Sequence, residues 1–400
     1  MSRLITENVH VIENDQDAIH AAYHVADYAL EGRNHRDQQR ALPFAEIELF
    51  SQKGLGGLRI PHVYGGAEVS HRTLAQVFRI LNKADSSLGQ IPQNQIALLN
   101  MINIMGSHEQ KQFIFNEILK GKRLANGGPE RHTKDTKTLD THLVVEDGKY
   151  RVSGKKFYST GSSFAHWLAI KAIQPEGHVV LVLVNRESSG VEVINDWDGF
   201  GQRTTSSGTV ILDHVEVDPL LIFDERKLLD VPNFRGGFSQ LMQVAIDVGI
   251  AEAAFKDMLF AIRKARPIVD AQVERASDEH FTLQEAGKAN VLLDAAILLL
   301  DEAADYLDSL SVVEQLTDEQ IAEASIKVAE AKVYANDAAL HISEKLIELG
   351  GSRASLNVHN FDQHWRNARV HTLHDPIRWK LHALGSYYLN HTFPARHAWI

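Results

Sequence analysis

The chain has 400 residues, of which 44% are hydrophobic and 23% charged, and its formal net charge is −11. This length suits several packed layers or subdomains, and the composition is that of an ordinary globular protein. The negative charge argues against nucleic acid or an anionic membrane as a partner. The absence of cysteine excludes disulfides, thiolate nucleophiles and cysteine-bound metals. No signal peptide and no apolar run of roughly 18 residues is evident, so we expect a cytoplasmic protein outside the membrane.

The hydrophobic pattern changes twice along the chain. Apolar residues at helical spacing predict an N-terminal helical domain over residues 1–120. Six short β-rich runs, punctuated by glycine, then predict a compact β-domain over residues 121–232. The helical period returns and predicts a C-terminal helical bundle over residues 233–400. Its long helices are expected at about 236–265, 281–310 and 318–349. The stretch from Ala286 to Leu310 is apolar on most of its circumference, which indicates burial in the bundle.

Several unusual motifs run through this pattern. They are Gly89–Gln95, Gly154–Gly161, Asp196–Gly208, His364–Pro376 and the C-terminal Arg396–Ile400. Together they resemble the sulfur-acquisition oxidoreductases, which are related to dibenzothiophene monooxygenase and are built on the acyl-CoA dehydrogenase fold. The resemblance covers nearly the whole chain. It implies a mainly α protein with a helical N-terminal domain, a β-barrel-like middle domain and a C-terminal four-helix bundle.

The resemblance also implies an activity. It predicts a two-component monooxygenase in which reduced FMN and O₂ react through a C4a-(hydro)peroxyflavin to oxygenate a small organosulfur or related compound. No Gly-x-Gly-x-x-Gly in a βαβ unit is evident, so a separate NAD(P)H-dependent flavin reductase is expected. Two alternatives stay open: an FAD-dependent acyl-CoA dehydrogenase, and a non-catalytic flavin-binding or assembly protein.

The segment Asn367–Pro376 carries the predicted catalytic groups. In the resemblance, His374 stands where the dehydrogenases place their catalytic glutamate, and Ser239 stands at a second glutamate position. His371 and His374 are three residues apart, so on a helical turn they would share one face. Histidine exchanges protons near neutrality, which oxygen transfer from a flavin requires. We therefore predict both histidines to be catalytic and the dehydrogenase chemistry to be lost.

The resemblance places two loops against the flavin ring. It implies that Tyr158, Ser159 and Thr160 contact the isoalloxazine, although hydroxyl groups here can equally satisfy a strand end. Asn126 is expected to bond a flavin carbonyl, with the alternative that it caps a turn. Trp197 covers the ring in one interpretation and fills the core in the other.

Two arginines, Arg266 and Arg353, predict FMN rather than FAD. In relatives, the motifs Arg-x-x-Phe-Gly and Gln-x-x-Gly-Gly hold the adenosine half of FAD. Here the first motif reads Arg263-Lys-Ala-Arg266-Pro267, and in the second Ile347 replaces the glutamine and Arg353 replaces the next glycine. Arg263 is also expected to contact the cofactor. Guanidinium groups suit a terminal phosphate dianion, so we predict a phosphate clamp that reaches the flavin of a neighbouring subunit in a homotetramer. The alternative is that these arginines are ordinary surface residues. No metal site is expected.

Gln95, Leu99 and Gly128 are predicted to line the substrate cavity. The family usually has histidine where this chain has Gln95, and an aromatic-serine pair where it has Gly128-Pro129. A glutamine side chain forms hydrogen bonds but does not shuttle protons at neutral pH. Substrate choice is therefore expected to differ from that of the relatives.

Overall fold

The N-terminal part of the protein is helical. The structure, a computed structural model, describes residues 9–135 and 138–400. Side-chain caps begin several of the helices. For example, Asn14 accepts from the Asp17 N–H at the first, and Ser107 and Gln110 form a reciprocal capping box at the sixth. The helices are α1 (Asp15–Gln39), α2 (Phe44–Gln52), α3 (His71–Ala84), α4 (Ser86–Gln90), α5 (Gln93–Met105) and α6 (His108–Leu119).

A mixed β-sheet follows. Its strands are β1 (Leu124–Gly127), β2 (His142–Glu146), β3 (Lys149–Lys156), β4 (Trp167–Ile173), β5 (Val179–Asn185), β6 (Val191–Ile194), β7 (Thr209–Val217) and β8 (Ile222–Asp224). They pair in the order β6–β7–β3–β2–β4–β5–β8, and β1 pairs in parallel with β4. The six predicted β-rich runs all form strands. The sequence pattern missed β1 and β8, which have only four and three residues.

The C-terminal part is a helical bundle. Its helices are α7 (Lys227–Asp230), α8 (Arg235–Lys264), α9 (His280–Ser311), α10 (Asp318–Gly350), α11 (Asp362–His371) and α12 (Ile377–Asn390). The three long helices agree with the predicted bounds to within one residue at each end. The predicted mainly α fold with a central β-region is confirmed.

Two apolar cores hold these layers together. One joins α1 and α3 to the long bundle helices, and the other joins the sheet to α5 and α6. The close approach of α8 to α3 depends on Gly249, where a Cβ atom would lie 2.7 Å from the Cβ of Asn82. No described helix is long and apolar enough to span a membrane.

The predicted burial of α9 on most of its sides is only partly confirmed. One stripe of α9 is fully covered, including Ala289, Ala296 and Leu300. On other sides Val291 is 69% exposed and Leu298 is 68% exposed. The apolar circumference therefore exceeds what one chain covers, because α9 lies at the outside of the single-chain bundle.

Candidate active site

The turn between α11 and α12 presents an imidazole backed by a buried acid. His374 Nδ1 lies 3.1 Å from Asp375 Oδ1, and the His374 side chain is 38% exposed. The other carboxylate oxygen, Asp375 Oδ2, is ion-paired with Lys380 Nζ at 3.0 Å. Burial by itself would raise the pKa of Asp375, but the hydrogen bond to His374 and the charges of Lys332 and Lys380 hold it far below its usual range. His374 is thus held by an ionised carboxylate.

His371 lies in a different environment, in the core of the bundle. Its Nδ1 donates to Asp247 Oδ1 at 2.5 Å, and its Nε2 lies 2.6 Å from Gln243 Oε1. Lys332 Nζ donates to the second oxygen of Asp247 at 2.7 Å. Burial lowers the pKa of His371, while the neighbouring Asp247 opposes that shift. Burial raises the pKa of Asp247, but His371 and Lys332 together lower it below its ordinary value.

These positions correct the prediction that the two histidines share a helix face. Helix α11 ends at His371, and His374 lies in the turn that follows. Both ring nitrogens of His371 are occupied by protein partners, and the side chain has no exposed surface. Of the two predicted catalytic histidines, only His374 has an exposed side chain.

The sheet side of the candidate site is built from the turn after β3. Tyr158 has a φ of 58°, a strained value for a tyrosine, and its ring is half-exposed with its centroid 6.1 Å from that of Trp197. The Ser159 side chain is fully buried, and its Oγ has no hydrogen-bond partner within the described residues. A buried hydroxyl without a partner is uncommon in proteins. Thr160 is bonded through its hydroxyl to Ser207, at 2.8 Å.

The loop between β6 and β7 connects this turn to α11. Trp197 Nε1 donates to the Gln202 carbonyl at 2.8 Å, and the Gln202 N–H donates to Asn367 Oδ1 at 2.6 Å. Helix α1 also bonds to α11, through Arg366, whose Nη2 donates to Asp37 Oδ2 at 2.6 Å. The structure thus brings Trp197 to the same helix that ends at His371.

The Asn126 oxygen forms the turn cap that the sequence left as an alternative. Asn126 Oδ1 accepts from the Gly128 N–H at 3.0 Å, while its amide nitrogen has no protein acceptor in the described part of the chain. Below this turn, Lys156 Nζ contacts the Gly128 carbonyl at 3.2 Å and pairs with Glu130 at 2.6 Å. Burial lowers the pKa of Lys156 to about 8, although Glu130 opposes that shift. Flavin contact by Asn126 stays a prediction that rests on its amide nitrogen.

Two of the predicted substrate contacts lie in the core. Gln95 Nε2 donates to the Gly56 carbonyl, and its Oε1 accepts from the Leu124 N–H, both at 3.0 Å. Leu99 is buried in the apolar cluster under the sheet. The Gln95 amide is therefore engaged by backbone groups and ties α5 to the start of β1.

The predicted phosphate ligands Arg263, Arg266 and Arg353 lie at or beside the end of α8. Arg263 and Arg266 are exposed there, and Arg353 Nη1 donates to the Lys264 carbonyl at 3.3 Å. No described carboxylate forms an ion pair with any of these three arginines. No hydrogen bond or ring contact among the described residues joins them to the Tyr158 turn.

Sequence reasoning missed the charged residues that hold the histidines. Asp247 and Lys332 each sit in the interior of a long helix whose neighbouring residues are mostly apolar, which was the available signal. A charge at such a position is rarely buried unless it is paired. Asp375 is adjacent to His374 in sequence, and Lys380 follows five residues later.

Comparison with known proteins identifies the family. The acyl-CoA dehydrogenase N-terminal domain matches residues 16–122, and the acyl-CoA dehydrogenase C-terminal domain matches residues 241–379. Together these matches cover more than half of the chain. The protein belongs to the acyl-CoA dehydrogenase family.

Several relatives at 28–29% identity are named as monooxygenases. The chain is 29% identical to the probable FMNH2-dependent monooxygenase SfnC of Pseudomonas putida, over 90% of this chain and 91% of the relative. It is also 29% identical to dibenzothiophene monooxygenase of Rhodococcus erythropolis, over 95% of both chains. The structure of FMN-bound TdsC from Paenibacillus sp. A11-2 aligns with a TM-score of 0.90 at 28% identity, over 96% of this chain and all of that one.

The Asp247 network yields a stability prediction. Lys332→Met should lower the free energy of unfolding by about 3–5 kcal/mol, because it leaves a buried carboxylate without its cation. Adding Asp247→Asn should restore part of the loss, since asparagine is neutral and still accepts from His371. Urea unfolding followed by tryptophan fluorescence measures both variants. The control is Lys149→Met, which breaks a surface pair with Glu216 and should leave the midpoint nearly unchanged. Equal, small effects of Lys332→Met and the control would refute the prediction.

Proposed function

We propose that this protein is a two-component flavin-dependent monooxygenase, which uses reduced FMN and O₂ to oxygenate a small organosulfur or related compound. The observation that carries the proposal is the acid–base group at the α11–α12 turn. It is an exposed imidazole, His374, held by the ionised Asp375. Such a pair suits proton donation and recovery at neutral pH.

The relatives support this choice of reaction. Two proteins that match this chain over at least nine-tenths of both lengths are named as an FMNH2-dependent monooxygenase and as a dibenzothiophene monooxygenase. A solved structure with a similar fold over the whole chain holds FMN. We infer the same class of reaction for the present chain.

The residues present fit FMN. Arg263, Arg266 and Arg353 supply cations that no described carboxylate neutralises, as a phosphate dianion requires. At the Tyr158 turn, Ser159 offers a buried hydroxyl that has no partner among the described residues, and Trp197 offers an aromatic ring. Reduced FMN, when bound, supplies the electrons that activate O₂. Because the sequence shows no evident dinucleotide-binding motif, a separate NAD(P)H-dependent reductase is proposed to deliver it.

His374 is proposed to hold and move the proton that oxygen transfer needs. Its Nδ1 faces Asp375, which leaves Nε2 to exchange a proton with a bound molecule. The carboxylate fixes the orientation of the ring. His371 is proposed to act through position only, since both of its nitrogens are engaged in the core.

The dehydrogenase alternative is less well supported by these residues. Removal of an α-proton from a thioester calls for an available carboxylate base. In the resemblance to the dehydrogenases, His374 and Ser239 stand at the two positions expected for that base. The nearby carboxylate, Asp375, is buried and ion-paired with Lys380.

One experiment separates the two reactions. The protein is given photoreduced FMN under air together with a sulfide, a sulfinate or dibenzothiophene, and oxygenated product is measured by mass spectrometry. In parallel it is given FAD, an acyl-CoA panel and an artificial electron acceptor. The proposal predicts product in the first assay only. Acyl-CoA oxidation without any oxygenation would overturn it.

FMN should bind more tightly than FAD, because the arginines at the end of α8 match a terminal phosphate. Arg353→Ala should weaken FMN binding by roughly tenfold to a hundredfold, as expected for a lost charge-assisted hydrogen bond. Flavin fluorescence quenching gives the dissociation constants. Arg275→Ala is the control, since this exposed arginine pairs with Asp278 instead. Tighter binding of FAD, or unchanged FMN affinity in Arg353→Ala, would exclude the phosphate clamp.

His374→Ala should still bind FMN but should form product at a rate on the order of 10²–10⁴-fold lower, because one acid–base group is lost. The electrons should appear as hydrogen peroxide instead of oxygenated product. Product and peroxide per reduced FMN consumed are the quantities to measure. His382→Ala, at an exposed histidine of α12, is the control. Wild-type coupling in His374→Ala would show that the residue is structural.

The protein is proposed to form a homotetramer through its bundle. Leu298 on α9, together with Trp379 and Leu389 on α12, leaves large apolar side chains exposed on a single chain. Light scattering at micromolar concentration should give the tetramer mass, and Leu298→Glu should shift the protein to smaller species. Val269→Glu, at a position in the α8–α9 connector that is 92% exposed, should not. A monomer in the wild type would contradict this assembly.

A further inference from the structure

A chain of three buried hydroxyl groups lies behind the Tyr158 turn. Thr160 Oγ1 lies 2.8 Å from Ser207 Oγ, and Ser207 Oγ lies 2.7 Å from Thr205 Oγ1. The chain ends at a carbonyl, because Thr205 Oγ1 donates to the Gln202 oxygen at 3.1 Å. All four residues are buried. We call this set, Thr160, Ser207, Thr205 and the Gln202 carbonyl, the hydroxyl chain.

The direction of every bond in the hydroxyl chain follows from counting hydrogens. A hydroxyl has one hydrogen to donate and two lone pairs that accept. Thr205 gives its hydrogen to the Gln202 carbonyl, which can only accept. The bond between Ser207 and Thr205 therefore uses the Ser207 hydrogen, and the bond between Thr160 and Ser207 uses the Thr160 hydrogen. Thr160 is left with lone pairs only for any further partner.

The acceptor that sets this direction is firmly placed. The Gln202 carbonyl also accepts from Trp197 Nε1, and the Gln202 N–H is held by Asn367. The two loops are joined at the backbone by the bond from the Gly161 N–H to the Thr205 carbonyl at 3.0 Å. Reversing the hydroxyl chain would give up the hydrogen bond from Thr205 to this carbonyl, which costs about the free energy of one neutral hydrogen bond.

We propose that the hydroxyl chain makes Thr160 an obligatory hydrogen-bond acceptor toward the bound flavin, so that the site prefers reduced over oxidised FMN. This inference rests on the proposed function. A reduced isoalloxazine carries an N5–H donor, whereas the oxidised ring has an acceptor nitrogen in its place. An acceptor on the protein attracts the first and repels the second. Such a preference would suit an enzyme that must capture reduced FMN from its reductase in the presence of oxidised FMN.

Ser159 provides the contrast within the same turn. Its buried Oγ has no partner among the residues that the structure describes, so its hydrogen is not committed. A hydroxyl of this kind can donate to the oxidised flavin and accept from the reduced flavin. Ser159→Ala should therefore change the affinity for oxidised and reduced FMN by similar factors.

The test is the ratio of the dissociation constants of oxidised and reduced FMN, measured by anaerobic titration of the full-length protein. Wild type should bind reduced FMN more tightly. Ser207→Ala removes the acceptor of the Thr160 hydrogen, which is then able to donate to the oxidised ring. The ratio should fall by roughly fivefold, the size of one neutral hydrogen bond. The midpoint potential of bound FMN should fall in parallel, because the reduced form loses its relative advantage.

Thr205→Val is a second variant with the same expected result. Without the Thr205 hydroxyl, Ser207 donates its hydrogen to Thr160, and the Thr160 hydrogen becomes available to the flavin. Ser163→Ala is the control: it removes a hydroxyl from the same pair of loops, where it accepts from Ser206 at 2.6 Å, and leaves the hydroxyl chain intact. The inference is supported if wild type prefers reduced FMN, both chain variants lower this preference and the control retains it. FMN binding with an unchanged ratio in both chain variants overturns it and leaves the proposed function standing. Wild type that binds neither form of FMN overturns both.

Discussion

The charge buried among α8, α10 and α11 is the constraint on which the site depends. Asp247 lies where no water reaches it, and it stays ionised because Lys332 and His371 both bond to it. Removing a partner from such a group typically costs several kcal/mol. Since His371 is the last residue of α11, its bond to Asp247 fixes the end of that helix. The chain turns immediately afterwards and carries His374 outward. The core histidine thus determines where the exposed one lies.

The two sides of the site meet through polar contacts. The sheet side reaches α11 through the bond from Gln202 to Asn367, and the N-terminal helix reaches it through the pair of Asp37 and Arg366. Burial by itself would raise the pKa of Asp37, but its bonds to Arg366 and Asn360 lower it. Hydrogen bonds are directional, so they specify relative orientation more narrowly than apolar packing does. This is a physical reason why the site motifs are rich in polar residues although most of them are buried.

Much of the fold was predictable because it follows from local periodicity. The three long bundle helices and six strands have strong patterns of apolar residues, and the segment that contains His374 was recognisable from its motif. The roles of single side chains were less predictable, because they depend on partners distant in sequence. The Gln95 amide is hydrogen-bonded to backbone groups of Gly56 and Leu124, and His371 is paired with Asp247, 124 residues away. Helical spacing placed the two histidines together, but the helix ends between them.

We propose that this protein, which has an acyl-CoA dehydrogenase fold and an imidazole at the α11–α12 turn, performs oxygen transfer. The most direct test is the source of the oxygen atom. The protein is supplied with reduced FMN and an organosulfur substrate under ¹⁸O₂ in ordinary water, and the product is analysed by mass spectrometry. One ¹⁸O atom is expected in each newly oxygenated product molecule. Product that carries oxygen only from water, or a desaturated acyl product without new oxygen, would contradict it.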